Sequence, residues 1–211
     1  MIVWYNTTID NPQVLVLLIS GLGLILWKGR MKSSKVTLVA KGKTAENAVV
    51  EGYLATINTA SNLFKEVDFE FLNDYETINK INLGDIKNLI IPIQLHSNES
   101  VSNYTYKDVL KLTKVPIHTH KLFTQTMNLD SKYGNVCFGE VLSTYQIALS
   151  WLIMSGFRDF KIYGVGKDSG YHKEFEKNDD VGNYRDSNWY AWNYNLGVNI
   201  LKKYDCDWEI L

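Results

Sequence analysis

Residues 35–44, "KVTLVAKGKT", carry the fold. Lys35 to Ala40 is a run rich in β-branched and aliphatic residues, and Lys41-Gly42-Lys43-Thr44 ends it with a glycine turn. That pattern predicts the first strand of an α/β unit. Read outward from it, strand and helix signals alternate. "NAVVEG" (47–52) predicts a short helix closed by Gly52, and "YLATIN" (53–58) a second strand. "VDFEFLND" (67–74) predicts a third strand, "YETINKI" (75–81) a helix, and "IKNLIIPIQL" (86–95) a fourth strand with a continuous apolar run. "TYKDVLKLT" (105–113) reads as a small helix, and "VPIHTHKLF" (115–123) as an edge-like strand because of Pro116. "GEVLSTYQIALSWLIMSGF" (139–157) is a strongly apolar covering helix, with Gly156 as its stop. A strand (159–166), a polar loop (167–187), a helix (189–204) and a final strand (206–211) complete the order. The expected fold is a three-layer, Rossmann-like α/β domain over 33–211, with a mostly parallel sheet.

Upstream lies Val14 to Trp27, "VLVLLISGLGLILW", the most apolar run in the chain. Gly21-Leu-Gly23 tempts a dinucleotide-loop reading, but the third position of G-x-G-x-x-G is Leu26, and the helix that follows would have no polar face. As a helix the run spans about 21 Å, short of the ~30 Å hydrocarbon core. Trp27, Lys28, Arg30 and Lys32 nevertheless suit a membrane flank, with the main domain on the cytoplasmic side. Residues 1–32 therefore form an apolar N-terminal helix with three readings. It is a membrane or interfacial anchor, a helix packed on the domain or a partner, or a nucleotide loop.

Composition narrows the function classes. The formal net charge is -1, so nothing suggests a basic face for nucleic acid. Cys137 and Cys206 lie far apart and show no metal or redox spacing. His96, His118 and His120 lack a supporting Cys, Asp or Glu pattern, so no metal site and no cofactor are expected.

In a parallel sheet, ligands bind where the strands end. The glycine turn can hold a phosphate through backbone N–H groups, with charge from Lys41 or Lys43, or it is an ordinary turn. It is not an ATPase P-loop, because Thr37 stands where the first glycine is needed. Asn58 follows the second strand and can bond a base or ribose edge, or form a local turn. Asn73-Asp74 follow the third. Asp74 can orient a sugar hydroxyl, hold a divalent ion through phosphate, or cap the helix after it. Ser143 and Thr144 open the long helix and can face phosphate or simply pack. Gly164 to Asp168 end the strand at 159–166. His172, in the loop after them, is a candidate base beside Asp168 and Tyr171, or a solvated histidine.

From about Lys35 to Leu211, the order of these elements resembles the bacterial CMP-sialic-acid-dependent sialyltransferases of glycosyltransferase family 42. It also resembles related sialyltransferase-like proteins, some of them from phages. "KVTLVA" with its glycine turn looks like that family's first nucleotide loop, and "LATIN" like its second strand, whose Asn contacts the donor; here this is Asn58. "VDFEFLND" looks like the third strand. "LSTYQIALSWLIMSGFRDFKIYGVG" resembles the family's Thr-Ser helix, Gly-aromatic pair and following strand. The resemblance implies that Ser143 and Thr144 approach the donor and that Gly164 lies beneath it. The chain departs from the family in a much shorter acceptor-lid region and at three motifs. Lys41-Gly42-Lys43-Thr44 replaces Asn-Gly-Pro-Ser, Gly164-Val165-Gly166 replaces Gly-x-Asp, and Asn183-Tyr184 stands where the family's base histidine lies.

The expected function is a glycosyltransferase-like reaction on a nucleotide sugar, with the acceptor unassigned. Lys41, Gly42, Lys43, Thr44, Ser143 and Thr144 would hold the donor phosphate, Asn58 the nucleoside, and Asp74 or Asp168 the sugar. His172 would take the acceptor proton. The alternatives are a nucleotide-binding protein without turnover and a membrane-anchored interaction domain.

Overall fold

A computed structural model describes residues 17–19, 22–24, 35–92, 104–122, 136–138, 143–166 and 187–211. The chain divides into two units between Ser34 and Lys35. In the first, β1 (Leu17–Ile19) and β2 (Leu22–Leu24) pair antiparallel. The helix expected over 14–27 otherwise falls outside the described residues. No helix among the described residues is long and apolar enough to cross a membrane.

The second unit holds an eight-stranded sheet. Its strands are β3 (Lys35–Val39), β4 (Tyr53–Ile57), β5 (Phe69–Phe71), β6 (Leu89–Pro92), β7 (Ile117–Leu122), β8 (Val136–Phe138), β9 (Asp159–Tyr163) and β10 (Asp207–Ile210). The spatial order is β10-β9-β3-β4-β5-β6-β7-β8, and every neighbouring pair is parallel. β5 and β6 are buried along their whole length, and β3 and β4 after their first residue. Burial on both faces is what continuous apolar runs need.

Helices cover both faces. Alternation along a strand sends Phe69 and Phe71 to one side and Glu70 to the other. On the first side α2 (Thr144–Met154) lays Trp151 against Phe69, Phe71 and His118, with ring centroids 5.7, 5.7 and 5.8 Å away. Beside α2 packs α3 (Ser187–Lys203). On the second side, short 3-10 helices and α1 (Tyr106–Leu112) close the core. Tyr75, Ile78 and Val109 cluster there with Leu89 and Ile91, and Ala45 and Ala60 with Val39 and Leu54.

Three expectations need correction. No helix spans 47–52: the 3-10 helix there runs Lys43–Asn47 and ends as that segment begins, whereas the short helix expected at 75–81 is present as a 3-10 helix over Tyr75–Lys80. 3-10 geometry is common in helical pieces this short. β7 is not an edge strand, since β6 and β8 flank it. Pro116 sits one residue before the strand, where no ladder N–H is required, and its carbonyl accepts from Leu89 N–H at 2.9 Å. β8 itself is a strand the sequence reading did not expect. The stop at Gly156 is as expected: its φ is 102°, and its N–H bonds the Ile153 carbonyl at 3.0 Å.

Strand order defines the functional edge. β3 to β8 step outward in one direction, and α2 then returns the chain to β9 on the far side of β3. The gap between β3 and β9 is therefore the point where strand order reverses, and its carboxyl end is the natural ligand position.

Candidate functional site at the carboxyl edge

At the β3/β9 switch point two glycine turns lie directly on each other. Gly42 N–H donates to the Gly164 carbonyl at 3.0 Å, and Ala40 N–H to Tyr163 at 2.9 Å. A Cβ on Gly42 would fall 2.5 Å from the Gly164 carbonyl oxygen. Gly164 has φ 72°, and a side chain there would strike the Ala40 carbonyl. Glycine is thus required at both positions for backbone approach. Thr44 completes the knot. Its hydroxyl accepts from Gly164 N–H at 2.7 Å and donates to the Leu211 carbonyl at 2.7 Å. Its one donor proton and one of its acceptor sites are used by protein groups. Lys41 is half-buried beside this knot and Lys43 is exposed. The 3-10 helix that follows offers a five-residue start, with Ala45 N–H turned back to Gly42.

One and two strands away, the edge is different. Asn58 follows β4 with φ 56°, the left-handed region that non-glycine residues rarely occupy. Its Oδ1 is buried and has no hydrogen-bond partner among the described residues. Asn73 follows β5, is buried, and its Oδ1 likewise has no partner among them. β4 and β5 are adjacent, with Ile57 level with Phe71, so the two amides stand at neighbouring strand ends. A buried amide oxygen without a donor costs about 1–3 kcal/mol. Two of them at the carboxyl edge of a parallel sheet, one on a strained backbone, leave room for an N–H or O–H donor. Asp74 is exposed, and its carbonyl, not its carboxylate, accepts from Thr77 N–H at 3.1 Å.

Ser143 and Thr144 start α2, with Ser143 as the N-cap. Ser143 N–H donates to Gln146 Oε1 at 2.7 Å. Its hydroxyl lies 2.5 Å from that oxygen and 2.6 Å from Asn193 Oδ1 on α3. Gln146, fully buried, donates to the Asn193 carbonyl at 2.9 Å and also to Asn193 Oδ1. Ser143 therefore ties α2 to α3. Thr144 is half-buried next to it.

The structure thus brings Lys41, Gly42, Lys43, Thr44, Asn58, Asp74, Ser143, Thr144 and Gly164 to strand ends and helix starts around the sheet. Asp168 and His172 lie outside the described residues, as does His96. His118 rests on Trp151 with a ring nitrogen 3.2 Å from Asn88 Oδ1, and burial lowers its pKa. Burial holds His120 down at about 4. Among the described residues no three or more His, Cys, Asp or Glu gather to hold a metal ion.

Sequence reading missed Glu70. It is fully buried within β5, where Thr56 donates to its Oε2 while Oε1 has no partner among the described residues. Burial pushes its carboxyl well above the usual carboxylate range, against a weaker pull from the Thr56 and Ser61 hydroxyls. The available signal was an acid flanked by two phenylalanines in an otherwise apolar strand.

No family model, curated protein or solved structure matches this chain.

Proposed function

We propose that the domain binds a nucleotide-activated sugar at the carboxyl edge of β3 to β5 and transfers the sugar to an acceptor hydroxyl. The observation that carries this is Asn58, strained, with a buried amide oxygen that lacks a partner among the described residues, beside a second such amide at Asn73. The two oxygens accept donors from the nucleoside, its ribose hydroxyls or a base amine. Lys41 and Lys43 supply positive charge toward the phosphates. Gly42, Thr44 and Gly164 shape the floor through the knot they form. Asp74, exposed at the rim, orients a sugar hydroxyl. Thr144 opens α2 toward the same edge.

In the transfer the acceptor oxygen bonds the anomeric carbon, and the bond from that carbon to the donor phosphate oxygen breaks. The nucleotide leaves with the electron pair. His172 takes the acceptor proton and Asp168 supports it. Positioning and neutralisation of the departing phosphate supply most of the rate. The resemblance to the sialyltransferases supports the donor class, and the net charge argues for a small-molecule partner over nucleic acid. Membrane association through Val14 to Trp27, with the domain on the cytoplasmic side, belongs to the same proposal.

A second reading, nucleotide binding without transfer, draws on Thr44 and Ser143. Both hydroxyls are committed to protein partners and leave the phosphate fewer donors. A thermal-shift panel of CMP, UDP, GDP and their sugars, followed by an assay for nucleotide release, tests both. A shift with release supports transfer, a shift without release supports the second reading, and no shift with any compound rejects both.

A further inference from the structure

β10 is an outer strand of the sheet, bonded on one side to β9. Asp207 N–H donates to the Arg158 carbonyl at 2.7 Å, and Leu211 N–H to the Ile162 carbonyl at 2.9 Å. In a parallel pair, alternate residues bond the neighbour. Asp207, Glu209 and Leu211 therefore turn their backbone groups toward β9, and Trp208 and Ile210 turn theirs away from it. Among the described residues no further strand meets those outward N–H and C=O groups. Asp207, Trp208 and Glu209 are exposed, and Ile210 is half-buried.

The side chains of this edge divide by face. Trp208 is level with Phe160 and Ile210 with Ile162, and the register carries across β3 and β4 to Phe69. These two apolar side chains are therefore on the α2 side of the sheet. Asp207 and Glu209 are on the other side, level with Asp159 and Lys161. The Lys161 ammonium already sits 2.5 Å from the Glu51 carboxylate, and among the described residues neither Asp207 nor Glu209 has an ion pair.

We propose that β10 receives an extended segment of a partner protein in which basic residues alternate with apolar ones. Main-chain pairing along the edge uses the outward groups of Trp208 and Ile210. Side chains of the added strand alternate between faces, so every second one comes beside Asp207 and Glu209, and those between come beside Trp208 and Ile210. Charge on an edge strand commonly blocks pairing. Here both charges have one sign, so the block is selective. A second copy paired antiparallel about a two-fold axis, with Trp208 opposite Ile210, sets Glu209 against Glu209. With Trp208 opposite Trp208, Asp207 meets Glu209. Like charges directly opposite destabilise a pair of strands, and a basic segment reverses that sign.

The test uses the full chain and two capped peptides, one alternating lysine with valine and one alternating glutamate with valine. Affinity is read by calorimetry, amide exchange by NMR and oligomeric state by sedimentation. In the parent alone, the Trp208 and Ile210 N–H groups exchange fast. The lysine peptide is expected to bind saturably, at least about tenfold tighter than the glutamate peptide, and to slow exchange at both amides. Asp207→Lys combined with Glu209→Lys, both at exposed positions, should reverse the preference between the peptides. Binding without protection of the two amides, equal affinity for the two peptides, or no binding of the lysine peptide overturns the proposal. Protection of both amides in the parent alone, together with a dimer in sedimentation, overturns it in favour of a second copy.

Discussion

Two stretches of one sheet edge use polar groups in opposite ways. At β3/β9 the loop groups are turned on each other: Gly42 on Gly164, Gly164 on Thr44, Thr44 on Leu211. At β4/β5, Asn58 and Asn73 hold buried amide oxygens with no partner among the described residues. A glycine turn after the first strand looks like a phosphate cradle, yet here its contacts are spent on building the edge. In the proposed reading, recognition falls to the asparagines beside it. A polar residue that is satisfied within the fold explains stability, and one that is buried and unsatisfied points to a ligand.

The sharpest way to break this contrast is Gly164→Ala. It combines a left-handed backbone with a collision at the Ala40 carbonyl, so unfolding in urea should show a loss of at least about 3 kcal/mol. A loss below about 1 kcal/mol would mean the two turns separate easily and the knot is not structural. Next is Thr44→Val, which leaves Gly164 N–H without its acceptor. It should cost about 1–3 kcal/mol of stability. Nucleotide affinity should change less than twofold if the hydroxyl serves only the fold. At Asn58 the two small substitutions should diverge. Asn58→Ala keeps a Cβ in the left-handed region and should lose about 1 kcal/mol, whereas Asn58→Gly should lose none.

The smallest effects are in pH dependence. Glu51 is held down at about 2 by Lys161 and Lys35, whose ammonium groups lie 2.5 and 2.7 Å from its carboxylate oxygens. A depressed acid adds stability that is present above its unfolded value of about 4.5 and is lost as pH falls toward 2. Glu70 is raised, so its contribution runs the other way. It is complete below about 4.5 and declines as pH climbs above that value. Stability measured from pH 2 to 8 should lose its acid-side slope in Glu51→Gln. In Glu70→Gln it should rise relative to the parent above pH 4.5, where the parent has to keep a buried acid neutral. Parallel curves for the two variants would contradict these assignments.

Much of the fold was legible in the sequence, because buried parallel strands are written as continuous apolar runs. The first, second and last strands of the domain begin and end within a residue or so of their sequence-based limits. β8 was not legible: three residues, Val136 to Phe138, leave no period to detect. The 3-10 character of 43–47 and 75–80 was also hidden, since the same residues fit one turn of α-helix. At the site, the sequence marked Asn58 by its place after a strand. Its positive φ and orphaned oxygen are properties of the folded turn. Thr44 and Ser143 were legible as hydroxyls at the right edge. Their partners, Leu211 and Asn193, lie 167 and 50 residues away in the chain, beyond any local pattern. Glu70 breaks the apolar pattern of β5, but a single acid in a strand pattern is indistinguishable from a solvated one until its burial is seen.

The central claim is that the Asn58 amide receives a nucleotide. Calorimetric titration of CMP, UDP and GDP into the parent protein and into Asn58→Gly tests it most directly, because that substitution removes the amide without straining the backbone. The account predicts saturable binding of at least one nucleotide by the parent and at least about a tenfold loss, near 1.4 kcal/mol, in the variant at unchanged stability. Equal affinity in the two proteins, or no binding to the parent, would contradict it.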